Sequence, residues 1–176
     1  MFTKAIHSNN APKAIGPYSP AVKLGDFVYL SGQLPVDPET GSIVEGGVQE
    51  QAYQVLKNME ALLAEMNLEM RHIVKTTVFM TDLSGFELMN EIYSTYFADP
   101  YPARTTVEVK ALPKGALVEI EAIVIDTLLY EHQFAQQHEH GDSCSCGDEG
   151  CGEEGCGEGC SCGSEEETCT DGTCCG

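Results

Sequence analysis

An α+β domain, a mixed sheet with two helices packed on one face, is the fold class predicted for residues 1–130, and residues 131–176 form a tail that this fold does not need. Segments with the two-residue and the 3.6-residue apolar period follow one another in the order β, β, α, β, α, β, β, which suits helices laid on a sheet. Beyond Tyr130 there is no Leu, Ile, Val or Met. The tail therefore cannot bury enough apolar area to offset the entropy of ordering it.

Phe27–Gly32 is a β-branched and aromatic run between a Gly25-Asp26 turn and Gly32, and reads as a buried strand. Asp37-Pro-Glu-Thr-Gly41 is a turn, because proline presets φ and glycine supplies a positive φ. From Val48 the positions Ala52, Val55, Leu56, Met59, Leu62, Leu63 and Met66 recur at helical spacing. Ile73–Thr81 is β-branched and reads as a strand. Ser84 and Glu87 have the spacing of a capping box, opening a helix whose stripe is Leu88, Met89, Ile92, Tyr93, Tyr96 and Phe97. Pro100 and Pro102 end it. Thr105–Ala111 alternates, and Pro113-Lys-Gly115 turns the chain into Leu117–Asp126, so these two segments are expected to pair as a hairpin. On the last strand Val118, Ile120, Ala122 and Val124 share one face, while Leu117, Glu119, Glu121, Ile123 and Ile125 share the other.

The charge is uneven. All nine Lys and Arg fall in residues 1–130, against sixteen Asp and Glu; residues 131–176 hold twelve Asp and Glu and no Lys or Arg. With −19 overall, a nucleic-acid partner is not expected, because phosphate binding needs clustered cations. The start has no apolar stretch of the kind a signal peptide carries, and no run is long enough to cross a bilayer, so no membrane partner is expected. The expected location is the cytoplasm, where thiols stay reduced and a thiol cluster reads as metal-binding more readily than as disulfides.

Two features of residues 1–130 point to chemistry. Glu119 and Glu121 are carboxylates on a strand that is otherwise apolar on both faces. They lie on an open edge or meet a lysine at a subunit contact, or else one of them is a partly buried acid whose raised pKa suits proton transfer or water activation. Arg104, in Pro102-Ala-Arg-Thr-Thr106, is an exposed strand-end charge or a planar fork for a carboxylate. Together they describe a pocket for a small carboxylic acid with an acid/base group nearby. His7 and His72 are isolated and read as surface residues. Gly46-Gly47, before a helix, has the form of an anion cradle, though two glycines are a weak signal. Residues 1–130 contain no cysteine, and no Ser-His-Asp arrangement is legible around Ser31.

Ala14-Ile-Gly-Pro-Tyr-Ser-Pro20, Tyr29-Leu-Ser-Gly-Gln-Leu-Pro35, Val74-Lys-Thr-Thr-Val78, Pro102-Ala-Arg-Thr-Thr-Val107 and Val118-Glu-Ile-Glu-Ala122 resemble, in order, the signatures of the Rid family of YjgF/RidA-like imine deaminases. The resemblance covers about residues 3–126. It implies a chorismate-mutase-like α+β fold, a homotrimer with a pocket at each subunit interface, and hydrolysis of 2-imino and 2-enamino acids. Substrates derived from 2-aminoacrylate, 2-iminopropanoate and 2-iminobutanoate would yield 2-oxo acids and ammonia without a cofactor. By position, Arg104 would bind the substrate carboxylate and Glu119 would position or activate water. Tyr18, Ser31, Asn90 and Thr106 would line the pocket. Thr106 stands where some members carry cysteine, and the link from Asn90 to Arg104 is shorter than in some members. In the expected hairpin Glu119 faces Val109, which sets Arg104 on the order of 15 Å from it along the strand. A site using both would then be shared between subunits. A ligand-binding or chaperone-like member of the fold, without turnover, is the alternative function; a ribonuclease fits the negative charge poorly.

The tail matches nothing in the family pattern. Its thiols are Cys144, Cys146, Cys151, Cys156, Cys160, Cys162, Cys169, Cys174 and Cys175, with His138 and His140 just upstream. This is not a zinc-finger spacing, but a glycine-rich chain can wrap thiolates around Zn²⁺ or Cu⁺. The bland reading is an acidic solubility tail with incidental thiols.

Overall fold

The computed structural model describes the backbone of residues 2–139 and side chains as far as Gln136; the nine cysteines and His140 lie outside the described residues. Six strands form one sheet: β1 (Thr3–Ile6), β2 (Ala21–Leu24), β3 (Phe27–Gln33), β4 (Ile73–Met80), β5 (Ala103–Glu108) and β6 (Val118–Ile125), in the spatial order β1-β2-β3-β6-β4-β5. Every neighbouring pair is antiparallel except β4 and β5, which are parallel. Helices α1 (Val48–Ala64) and α2 (Phe86–Tyr96) cover one face, as the apolar stripes predict.

The core lies between those helices and the sheet. Val28 and Leu30 of β3, Val78 and Met80 of β4, and Val118, Ile120, Ala122 and Val124 of β6 are buried against Val55, Leu56, Met59 and Leu63 of α1 and Met89 and Tyr93 of α2. Asn58, fully buried on α1, donates from Nδ2 to the carbonyls of Leu34 (3.1 Å) and Val36 (2.9 Å), tying the segment after β3 to the helix.

Several local expectations are corrected. Residues 105–111 and 117–126 do not form a hairpin: β5 pairs with β4, and β4 lies between β5 and β6. A parallel neighbour needs a crossover, and α2 supplies it between β4 and β5. The turn at Pro113–Gly115, with Lys114 and Gly115 both at positive φ, then returns the chain across β4 to β6. Ser84 does not cap α2; its backbone N–H donates to Asp82 Oδ1 (2.8 Å), so Asp82 caps a short 3₁₀ turn ahead of the helix. The Gly46-Gly47 cradle is filled by the chain itself, because the Gly47 N–H donates to Glu50 Oε2 (2.8 Å). His72 is buried rather than superficial, its Nδ1 accepting from the Glu69 N–H (2.9 Å) across a 3₁₀ turn.

Two features were not anticipated. β1 edges the sheet, and a third helix, α3 (Leu128–Glu139), carries the chain through residue 130. Besides Leu128, which packs against the core, α3 is held by polar contacts: Arg71 reaches Glu131 with two hydrogen bonds of 3.1 Å, and Tyr130 donates to Asp26 (3.0 Å). Among the described residues no helix is long and apolar enough to cross a membrane.

Asn58→Ala leaves the Val36 carbonyl, in a buried contact, without its side-chain donor, and leaves the Leu34 carbonyl with the Val36 N–H alone. A loss of about 1–3 kcal/mol is expected, read as a lower urea midpoint with an unchanged slope.

Candidate active site

Sheet parity divides the expected site residues between two faces. On β6, burial of Val118, Ile120, Ala122 and Val124 against the helices turns Glu119, Glu121, Ile123 and Ile125 to the other side. Arg104 on β5 is the register partner of Thr76, which is the register partner of Ala122, so Arg104 shares the helix-covered face. Glu119 is three residues from Ala122 and two strands from Arg104. Strand spacing and rise put about 14 Å between the two positions along the sheet, and their side chains leave it in opposite directions. The expected separation therefore survives the loss of the hairpin, for a different reason.

On the helix face, Arg104, Asn90, Tyr93, Ser94, Tyr101 and Pro102 line a cavity of about 330 Å³. The Arg104 guanidinium lies 4.7 Å from the ring centroid of Tyr93 and 5.5 Å from that of Phe86. No carboxylate pairs with it among the described residues. A guanidinium held by ring faces with its N–H donors free can take a carboxylate in a bidentate contact. Asn90 Oδ1 is a buried acceptor without a hydrogen-bond partner. Thr106, two residues along β5, has the same parity as Arg104 and stands opposite Val78.

On the other side, Tyr18 and Gly32 line a second cavity of about 350 Å³ with Lys13, Gln33 and Lys114. Ser31 donates from Oγ to the Ser19 carbonyl (2.7 Å), and Gln33 donates to the Ser31 carbonyl (2.8 Å), fixing the path of β3 through its bulge against β6. The Ser31 hydroxyl is therefore engaged with backbone. Glu119 packs over Gly32: a methyl group there would lie 1.8 Å from Glu119 Oε1, so a larger residue would displace the carboxylate. Half-buried among these elements, Glu119 has its pKa raised, first by desolvation and then by the neighbouring charge of Glu121. That is the acid read from the sequence, and the mechanism is the burial expected of a carboxylate on an apolar strand.

The structure thus brings Arg104 and Asn90 to one cavity, and Tyr18 to another that Gly32, the neighbour of Glu119, also lines. The sequence reading missed Tyr93, Phe86 and Gly32 beside these residues. Phe86 and Tyr93 stand seven apart on α2, hence on one helix face, but that spacing also describes plain core. Among the described residues no group of three or more His, Cys, Asp or Glu side chains has the geometry of a metal site, and the thiols of the tail lie beyond those residues.

These features define a two-layer α+β protein with a free guanidinium on the covered side of its sheet and a half-buried acid on the open side. The chain belongs to the endoribonuclease L-PSP family, known also as YjgF, RidA or Rid, whose model matches residues 8–126. Human 2-iminobutanoate/2-iminopropanoate deaminase is 46% identical over 125 residues, 71% of this chain and 91% of that protein. A RutC family protein of Pyrococcus abyssi is 49% identical over 123 residues, 70% of this chain and 97% of the relative. Among solved structures, RidA from an Antarctic Psychrobacter shares 46% identity at a TM-score of 0.67, covering 69% of this chain and 98% of that one. E. coli TdcF with bound serine is similar at 45% identity and a TM-score of 0.66, with the same coverage. The names differ across the family, and imine deamination is among its activities.

The raised pKa of Glu119 has a consequence for stability. The folded chain holds this proton more tightly than the unfolded chain, so its contribution is favourable at low pH. It is lost as pH rises above the unfolded value of about 4.3 through the folded value. Glu119→Gln removes the ionisation. The variant's urea midpoint should gain on the wild type as pH rises from 4 to 7, and parallel profiles would show that burial does not shift this group.

Proposed function

We propose that this chain hydrolyses 2-imino acids and their 2-enamino tautomers, such as 2-iminopropanoate and 2-iminobutanoate, to 2-oxo acids and ammonia. The observation that carries the reading is the free Arg104 fork on two aromatic rings, a receptor for a small carboxylate. The similarity to the mammalian 2-iminobutanoate/2-iminopropanoate deaminases supports it.

The substrate is already electrophilic at the imine carbon, so the protein's task is to fix it and to deliver water. Arg104 holds the carboxylate. With the imine nitrogen already protonated, Glu119, ionised, takes one proton from water as the oxygen adds to the imine carbon and the C=N π pair passes to nitrogen, giving a neutral amino alcohol. The carboxyl then gives that proton to the amino nitrogen, the C–N bond breaks as ammonia leaves, and the hydroxyl proton of the adduct passes to water as the 2-oxo group forms. No metal or organic cofactor enters these steps. Because Arg104 and Glu119 leave opposite faces of one sheet, the working site joins Arg104 of one protomer to Glu119 of its neighbour. We propose a homotrimer with such a site at each interface. The uncovered face supports this: Phe27 and Tyr29 are about half exposed there and Val107 more than a third, with Phe79, Ile123 and Ile125 partly exposed beside them.

Arg104→Ala should lower kcat/KM for ammonia release by about ten- to a hundredfold, the loss of a charge-assisted pair. Arg104→Lys should recover part of it, since an ammonium cannot form the planar fork. Mixing Arg104→Ala with Glu119→Gln protomers should restore activity to oligomers in which one interface carries both native residues. Verified mixed oligomers without rescue would rule out a shared site, and wild-type turnover in Arg104→Ala would rule out the anchor.

A second reading concerns the tail, because all nine cysteines lie outside the family match of residues 8–126. We propose that these thiols bind soft ions, Zn²⁺ or Cu⁺, as sulfur ligands do, while the acidic residues raise the local cation concentration. Protein purified under reducing conditions without chelator should carry at least one such ion per chain after zinc addition. A smaller content would leave an acidic tail with incidental thiols.

A further inference from the structure

We infer that Tyr93 is the positioning residue for Arg104, its ring holding the guanidinium where a substrate carboxylate meets the fork; this rests on the deamination reading above. An arginine side chain without hydrogen bonds or ion pairs samples many rotamers, and a fork that must be met in one plane works only if something else fixes it. Among the described residues Arg104 has neither kind of partner, and the nearest ring to its Cζ is Tyr93 at 4.7 Å, with Phe86 further off at 5.5 Å.

Tyr93 is itself held at both ends. Its ring stacks on Phe97 with centroids 4.3 Å apart and 29° between planes. Its hydroxyl lies 2.9 Å from Oγ1 of Thr76, which is fully buried. Thr76 is the β4 residue paired in register with Arg104 on β5. Strand register, the hydroxyl pair and the cation–π contact thus close a loop from Thr76 through Tyr93 to Arg104 and back to Thr76. Burial raises the Tyr93 pKa, which keeps the hydroxyl neutral for the Thr76 bond. Phe86 has no polar anchor and supports the guanidinium from a greater distance.

The test uses the full chain with Tyr93→Leu, Tyr93→Phe, Arg104→Ala and the Tyr93→Leu/Arg104→Ala pair, assayed for ammonia release from freshly generated 2-iminobutanoate. Because the chain has only two arginines, Arg71 and Arg104, the side-chain Nε–H resonance of Arg104 is assigned by its loss in Arg104→Ala. Tyr93→Leu should raise KM about tenfold, as loss of a partly desolvated cation–π contact would. Its kcat should stay within about twofold. Tyr93→Phe, which keeps the ring, should stay within about threefold of the wild-type KM. The Arg104 resonance should be ring-current shifted in wild type and Tyr93→Phe and relax toward the Arg71 position in Tyr93→Leu. The double variant should match Arg104→Ala in kcat/KM. An unchanged KM and resonance in Tyr93→Leu overturns the inference, and so does an equal loss of kcat/KM when Tyr93→Leu is added to Arg104→Ala, which marks a role in the fold alone. If wild type releases no ammonia, the deamination reading falls by itself, and the resonance still decides whether Tyr93 holds Arg104.

Discussion

Alternation along β6 is the constraint on which the site depends. Val118, Ile120, Ala122 and Val124 must face α1 and the core, and a strand that buries every second residue has no freedom over the rest. Glu119 and Glu121 are therefore forced onto the open face as a like-charged pair, where burial and mutual repulsion raise the pKa of Glu119. A slip of one residue would place both carboxylates in the hydrocarbon core, so the register that stabilises the fold is also the one that makes the acid.

The surroundings of Glu119 and Arg104 are built in opposite ways. Around Glu119 the chain removes solvent and brings up a second negative charge, while Gly32 leaves space that any side chain would fill. Around Arg104 it withholds a counter-ion and supplies ring faces instead. Sheet geometry keeps the two groups apart: they leave the sheet on opposite faces, so neither neutralises the other.

α3 attaches by different means. Contacts around its first turn are polar and largely exposed, apart from Leu128, which packs against the core. Glu131 is held down to about 2 by hydrogen bonds from Thr127 and the Arg71 guanidinium, and it also lies 3.4 Å from Nε2 of the buried His72. Lys23 pairs with Asp126 where β6 gives way to the helix. The exposed Arg71–Glu131 pair contributes little by itself, whereas Lys23–Asp126 is partly buried. α3 follows the family match, which ends at residue 126, and its charged side chains meet residues that belong to that match.

By itself the sequence determined what depends on near neighbours: both long helices from their 3.6-residue stripes, the β4 segment from its β-branched residues, the two faces of β6 from alternation, and Glu119 as a carboxylate on an apolar strand. Matched signature segments assigned the family, because they preserve residue identity in order. Pairing partners were beyond it. A hairpin was the natural reading of two adjacent strands about a Pro-Lys-Gly turn, yet β5 binds β4, because α2 provides the crossover that a parallel neighbour requires. Tyr93 on a helix stripe is indistinguishable from core until Thr76 and Arg104 are brought to it from two strands. The burial of His72 likewise depends on a turn and on α3. Which face a residue takes is local and periodic; which residue it meets there is set by strand order, and that is decided only when the whole sheet closes on its helices.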